Sequence, residues 1–175
     1  MSYYVVDVEA DGPYPGDYSM VSIGIVKVTS DLNTTFYREI KPISDKYVDG
    51  ALKACKMTRE QTENFSDDAE KAMTDCVKWI NETNVDSRAF FISDNNGFDW
   101  MFTNYYLHKF GKSNPFGHSS TNLNSLYKGL VRNMKQNMKF LRSTKHTHNA
   151  LDDAKGNAEA LIKINNKFKL NMKFV

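Results

Sequence analysis

The chain predicts an α/β domain built on a mixed central sheet, an antiparallel meander extended by parallel strands and flanked by helices. Three observations carry this. Apolar, β-branched stretches follow one another near the start, within Tyr4–Gly12, at Met20–Val28 and at Thr34–Ile40, and the short links between them favour antiparallel neighbours. A helix-periodic segment then opens at Ser66 and leads into Arg88–Ser93, a further short apolar run; a strand reached through a crossover helix pairs in parallel. Finally, 175 residues with 41% hydrophobic and 25% charged side chains suit one domain, residues 1–175, with a core of its own.

Each element has a local reason. Met20–Val28 follows Asp11-Gly12-Pro13-Tyr14-Pro15-Gly16-Asp17, whose Gly and Pro residues interrupt a strand, and Gly24 within it marks a close approach of another backbone or a helix. Thr34–Ile40 comes after the turn Ser30-Asp31-Leu32-Asn33. The helix opened by Ser66-Asp67-Asp68-Ala69-Glu70 has N-cap candidates and first-turn acids, and its Ala69, Met73, Cys76, Val77 and Ile80 recur on one face that covers the sheet. Gly97–Phe110 is a second helix with Phe98, Trp100, Phe102, Tyr105 and Tyr106 on several faces, which suits core filling or a platform for bases. Thr121-Asn122-Leu123-Asn124 opens a third helix that ends near Arg132. The last helix spans Leu151–Phe168, and Lys169–Val175 is a basic tail. Lys135–His146 is basic and interleaved with Met138, Phe140 and Leu141; a solvated face and contact with a phosphate backbone both account for it.

The bulk numbers exclude little and point to no special compartment. A net charge of +2 does not by itself advertise a polyanionic partner. Cys55 and Cys76 lack metal-ligand spacing, and Cys76 falls on the inward face of a helix as a small apolar filler. No apolar run approaches the ~20 residues that cross a bilayer, so no membrane partner and a cytoplasmic, reducing setting are expected.

The chemistry gathers in three places. In Val6-Asp7-Val8-Glu9 the period of two puts both acids on one face of an apolar strand, where two neighbouring carboxylates are costly unless a cation neutralises them. The alternative is a strand that ends at Val8, with Glu9 in solvent. Ser93-Asp94-Asn95-Asn96-Gly97-Phe98-Asp99-Trp100 runs from a strand end into a helix, a place where ligands collect in α/β sheets. Asp99 is the metal candidate there, and Asp94 suits an Asx turn. In His146-Thr147-His148-Asn149-Ala150-Leu151-Asp152-Asp153-Ala154, helical periodicity sets Asp152 on a solvated stripe with Lys155, Glu159 and Lys163. Asp153 falls on the inward side with Gly156, Asn157, Ala160 and Ile164. His148, five positions before Asp153, is close enough to reach the same site, whereas His108 and His118 have no acidic neighbours in sequence.

Asp7-Val8-Glu9, Phe98-Asp99-Trp100 and His148 to Asp153, in that order and with that histidine spacing, resemble the three motifs of the DnaQ-like DEDDh family of 3′-5′ exonucleases. Ser93-Asp94-Asn95, Leu126-Tyr127-Lys128-Gly129-Leu130 and Lys155 to Leu161 are similar to its small, polyadenylate-preferring exoribonucleases; the likeness spans roughly residues 4 to 164. The resemblance implies a ribonuclease H-like fold and two divalent cations, Mg²⁺ or Mn²⁺, on Asp7, Glu9, Asp99 and Asp153. It further implies that His148 is the general base, that nucleoside 5′-monophosphates are released from 3′ ends of single-stranded RNA, and that the chain is a homodimer. DNA or short oligonucleotides are the alternative substrates, and a catalytically silent nucleic-acid-binding module is the alternative role. The loop after Glu9 lacks the threonines many members carry, so the backbone amides of Ala10 and Asp11 are the candidates for the terminal 3′-hydroxyl; separately, Tyr14 and Tyr18 are candidates for stacking on terminal bases.

Overall fold

The computed structural model describes residues 1–85 and 88–174. Five strands, β1 (Ser2–Ala10), β2 (Met20–Lys27), β3 (Thr35–Glu39), β4 (Ala89–Ser93) and β5 (Ser120–Asn122), form one sheet in the order β3-β2-β1-β4-β5. β2 runs antiparallel to β1 and β3, while β4 runs parallel to β1 and β5, so the expected meander and parallel half share β1 at the centre. Six α-helices accompany them: α1 (Asp49–Ala54), α2 (Arg59–Glu63), α3 (Ala69–Thr83), α4 (Asn96–Lys109), α5 (Leu123–Val131) and α6 (Ala150–Phe168).

The alternation along β1 divides the protein into two cores. Tyr4, Val6, Val8 and Ala10 enter the one covered by α3 and α4 with Met73, Cys76, Ile80, Phe102 and Tyr106. Val5 enters the other, beneath α5 and α6, with Leu123, Tyr127, Ala154, Ala158 and Leu161. By the same alternation Asp7 and Glu9 face α6. The helix starts follow their caps: Asp68 accepts from the Lys71 amide at 2.8 Å, and Asn122 from that of Ser125 at 2.7 Å. Thr58 and Gln61 close a reciprocal capping box on α2.

Several elements differ from expectation. The segment between β3 and α3 folds into α1 and α2, each too short to show a periodic apolar face, and β5 has only three residues. The basic stretch Lys135–His146 is not a uniformly solvated face: Met138 is buried, Lys139–Leu141 is a 3₁₀ turn, and the Arg142 guanidinium is tucked against Asp94 at 2.7 Å. Asp94 is thus an ion-pair anchor as well as a residue of the strand end. The stripe of Asp152, Glu159 and Lys163 is likewise engaged. Glu159 accepts from the Ser143 and Thr144 amides, Asp152 from the Thr147 hydroxyl, and Lys163 donates to the Leu141 carbonyl. In the tail, Leu170, Met172 and Phe174 pack on the second core, with Phe174 edge-on to Tyr3 at 5.9 Å; Val175 lies outside the described residues.

Gly24 decides where α6 begins. It pairs with Asp7 in the sheet register, and a Cβ there would meet the Ala150 carbonyl carbon and oxygen and the Leu151 nitrogen at 2.3–2.4 Å. Backbone atoms on both sides leave nothing flexible to yield, so only glycine lets the α6 N-terminus settle beside Asp7. Gly24→Ala is expected to lower stability by about 1–3 kcal/mol or more in chemical denaturation, as overpacking does. A native-like midpoint would show that α6 lifts away without cost.

Candidate active site

Three elements converge on the α6 side of β1. One ligand oxygen from each of Asp7, Glu9 and Asp153 lies within 4.8 Å of the others. Asp99 arrives from the first turn of α4; its Oδ1 accepts from the Val8 amide at 3.3 Å, whereas its buried Oδ2 has no hydrogen-bond partner. The sequence motifs, about ninety and fifty residues apart, thus meet in one place.

The electrostatics record how costly the gathering is. Burial, followed by the charges of Asp99, Glu9 and Asp153, pushes the Asp7 carboxyl well above the usual range, and the Arg142 guanidinium partly opposes this. Burial likewise raises Glu9, and it pushes Asp99 up to about 8. An orphaned buried carboxylate oxygen among acids that resist ionisation is what a hard divalent cation satisfies, and all four donors are oxygen. Asp7, Glu9 and Asp153, with Asp99 beside Asp7, therefore fit a hard divalent cation.

The loop before α6 is built around Asp153. The Thr147 and His148 amides each donate to its carboxylate at 3.1 Å, and Asn149 caps the helix by accepting from the Leu151 and Asp152 amides. These bonds hold His148 at φ +61°, a left-handed backbone that a non-glycine residue seldom adopts. The strain leaves the His148 ring 41% exposed beside Glu9, with Nδ1 3.9 Å from Oε1. Desolvation, then the neighbouring His146, lowers the His148 pKa, so the ring is a free base at neutral pH.

Two further contacts shape the site. Cys55, at the end of α1, donates its thiol to Glu9 Oε2 at 2.9 Å and steers that carboxylate; nothing in its spacing marks it. His146 sets Nδ1 2.7 Å from Asp153 Oδ2. Its interval of two from His148 was the visible hint.

The substrate-facing expectations divide. Glu9 and Cys55 border an apolar recess of about 400 Å³, walled by Ala10, Gly12, Pro13, Val48, Ala51 and Phe98. Ala10 faces it, but the Asp11 amide does not serve it: that N–H donates to the Ser19 carbonyl at 2.9 Å. The buried Asp11 carboxylate accepts from the Ser19 amide and from Arg59, so Asp11 is a structural anchor. Tyr18 packs against Gly12, and Tyr14 crosses it edge-on at 5.1 Å with its hydroxyl on Asp17, so the ring lining the recess is that of Phe98. On the other side of Cys55 a polar cleft of about 860 Å³ runs along Tyr37, Lys56, Gln61 and His148.

Fold and acid cluster together suit a nuclease. Residues 2–165 match the family described as the 3′-5′ exoribonuclease Rv2179c-like domain, and the chain belongs to that family of 3′-5′ exonucleases. It is 34% identical over 177 residues to the 3′-5′ DNA exonuclease Cap18 of Escherichia coli, covering 95% of this chain and 94% of that protein. Among solved structures it is similar to the nuclease domain of 3′hExo, a DEDDh family member bound to rAMP (TM-score 0.75, 15% identity, 95% and 92% of the two chains). It is also similar to cell-death related nuclease 4 (TM-score 0.76, 14% identity, 95% and 64%) and to E. coli ExoI in a complex with single-stranded DNA (TM-score 0.70, 14% identity, 97% and 41%).

A carboxyl whose folded pKa lies above its unfolded value holds its proton more tightly in the native state, so the fold loses stability as pH rises between the two. For Asp99 that interval runs from 3.8 to about 8. The lowered His148 acts in the opposite sense, but only as pH falls through about 6.5 and below. Between pH 6.5 and 8 the acids therefore act without it. The metal-free melting temperature is expected to fall across that interval, and millimolar magnesium to raise it more at pH 8 than at 6.5. A flat profile with equal magnesium increments would contradict this electrostatic account.

Proposed function

We propose that this chain hydrolyses single-stranded RNA from its 3′ end and releases nucleoside 5′-monophosphates, using two divalent cations, magnesium or manganese, held by Asp7, Glu9, Asp99 and Asp153. The observation that carries the reading is that Glu9 of the carboxylate cluster borders an apolar recess, which shares Cys55 with a polar cleft lined by His148. A recess of about 400 Å³ suits one nucleoside, and Phe98 offers a face for its base. Ala10 meets the terminal sugar. The cleft on the His148 side leads the remaining strand away, with Lys56 in its wall to meet phosphate.

Cations bound to the cluster neutralise the phosphate oxygens and lower the pKa of the attacking water. His148 accepts that water's proton: its free-base state at neutral pH and its exposed ring beside Glu9 suit the task. Cys55 holds Glu9 in place, and the Thr147 and His148 amides hold Asp153, so the ligands meet a cation without rearranging.

A second reading, hydrolysis of DNA, is favoured by the 34% identity to a protein described as a DNA exonuclease. The two differ only in whether a 2′-hydroxyl is accepted or required. A panel of 5′-labelled RNA and DNA strands of one sequence, with magnesium and with chelator, separates them. RNA shortened stepwise from its 3′ end faster than DNA supports the first reading; the reverse order supports the second; magnesium-independent or internal cleavage refutes both.

His148→Ala is expected to lower turnover by about 10²- to 10⁴-fold while manganese still binds. A variant that keeps most of its activity would remove His148 from the proton transfer. Phe98→Ala is expected to weaken substrate binding by roughly 10-fold, within the range of one lost stacking contact. Unchanged KM would place the terminal base elsewhere.

A further inference from the structure

A second donor set overlaps the acid cluster. His146, His148 and Asp153 each offer one ligand atom, and these atoms lie within 4.8 Å of one another. The two imidazoles meet edge-on with centroids 4.2 Å apart, and His146 is in direct contact with Asp153 at 2.7 Å. Both rings are open to solvent, 44% and 41% exposed, so an ion can enter and a water can complete its shell.

The segment that carries them is fixed along its length. Arg142 is buried against Asp94 at 2.7 Å, and the Ser143 and Thr144 amides donate to Glu159 at 2.6 and 2.8 Å. The Thr147 and His148 amides then grip Asp153. Such outer contacts are what hold metal-binding imidazoles in orientation. The donors also differ in kind from the neighbouring site: two nitrogens and one carboxylate oxygen suit zinc and other borderline transition ions, whereas all-oxygen sets suit magnesium and manganese.

We infer that His146, His148 and Asp153 form a zinc-class site distinct in chemistry from the carboxylate cluster, though it borrows Asp153 from it. An ion seated there takes both the imidazole of His148 and one carboxylate away from the hydrolytic centre. Zinc is then an antagonist of the magnesium-dependent state; this consequence, unlike the binding, rests on the proposed function.

The test is zinc binding by the full metal-free chain, read by competition with a chromophoric zinc chelator, beside manganese binding read by electron paramagnetic resonance. The wild type is expected to bind zinc, and His146→Gln to lose more than ~10-fold in zinc affinity with a clearly smaller change for manganese. His146→Cys, which returns a zinc donor at the same position, is expected to recover most of it. Thermal melts of both variants check that the fold is intact. Unchanged zinc affinity in His146→Gln, equal losses for both metals, or no recovery in His146→Cys would overturn the site. Micromolar zinc added to magnesium-supported cleavage reports the second half: inhibition relieved by His146→Gln supports antagonism, and inhibition identical in both proteins refutes it. Zinc binding that follows His146 in a chain that cleaves no strand would sink the exonuclease reading and leave the zinc site standing.

Discussion

The structure depends on holding several carboxylates together where water cannot fully separate them. Asp7 and Glu9 are forced onto one face of the central strand by the pleat, and α4 and α6 then bring Asp99 and Asp153 against it. The raised pKa of Asp7, Glu9 and Asp99 reflects burial first and the neighbouring negative charges after it. The protein compensates in part. The dipole of α6 favours Asp153 in its first turn, and the Arg142 guanidinium partly offsets the rise at Asp7. What remains uncompensated is the driving force for taking up cations.

Several features far from the chemistry have their reason in this constraint. Gly24 is the one residue that lets the first turn of α6 touch β2, which sets the depth of Asp153. The Arg142–Asp94 pair joins the loop before α6 to the end of β4, so the segments carrying His148 and Asp99 keep a common frame. Such a buried pair contributes little net stability; its use lies in fixing position. The same reasoning explains Asp11, which lies within the motif loop yet spends its amide and carboxylate on Ser19 and Arg59 to fix the wall of the recess.

Much of the site was legible because it rests on short-range periodicity. The period of two gave the shared face of Asp7 and Glu9, and the period of 3.6 separated Asp153 from Asp152; the segments Ser66–Glu70 and Thr121–Asn124 marked where two helices open. What stayed hidden depends on tertiary contact. Cys55 reaches Glu9 across 46 residues, Arg142 reaches Asp94 across 48, and a basic run gives no sign that one of its members is buried. The helices α1 and α2 are too short for a periodic face, although the Thr58–Gln61 capping pattern was there to be read. Tyr14 and Tyr18 attracted attention as aromatic residues in a loop, yet an aromatic residue in a loop is as readily a brace for that loop, and Tyr18 braces Gly12.

The asymmetry around Glu9 turns a metal site into one with a direction. A cluster of acids with cations can cleave any phosphodiester that reaches it, so end specificity must come from the walls. Here Glu9 borders a mostly apolar recess of about 400 Å³, and Cys55 joins that recess to a larger polar cleft of about 860 Å³. Cys55 stands at the junction, lining both spaces while its thiol holds Glu9, so the residue shared by the two compartments also aims a ligand. The shape of the site and the placement of a ligand carboxylate are thus tied together at Cys55.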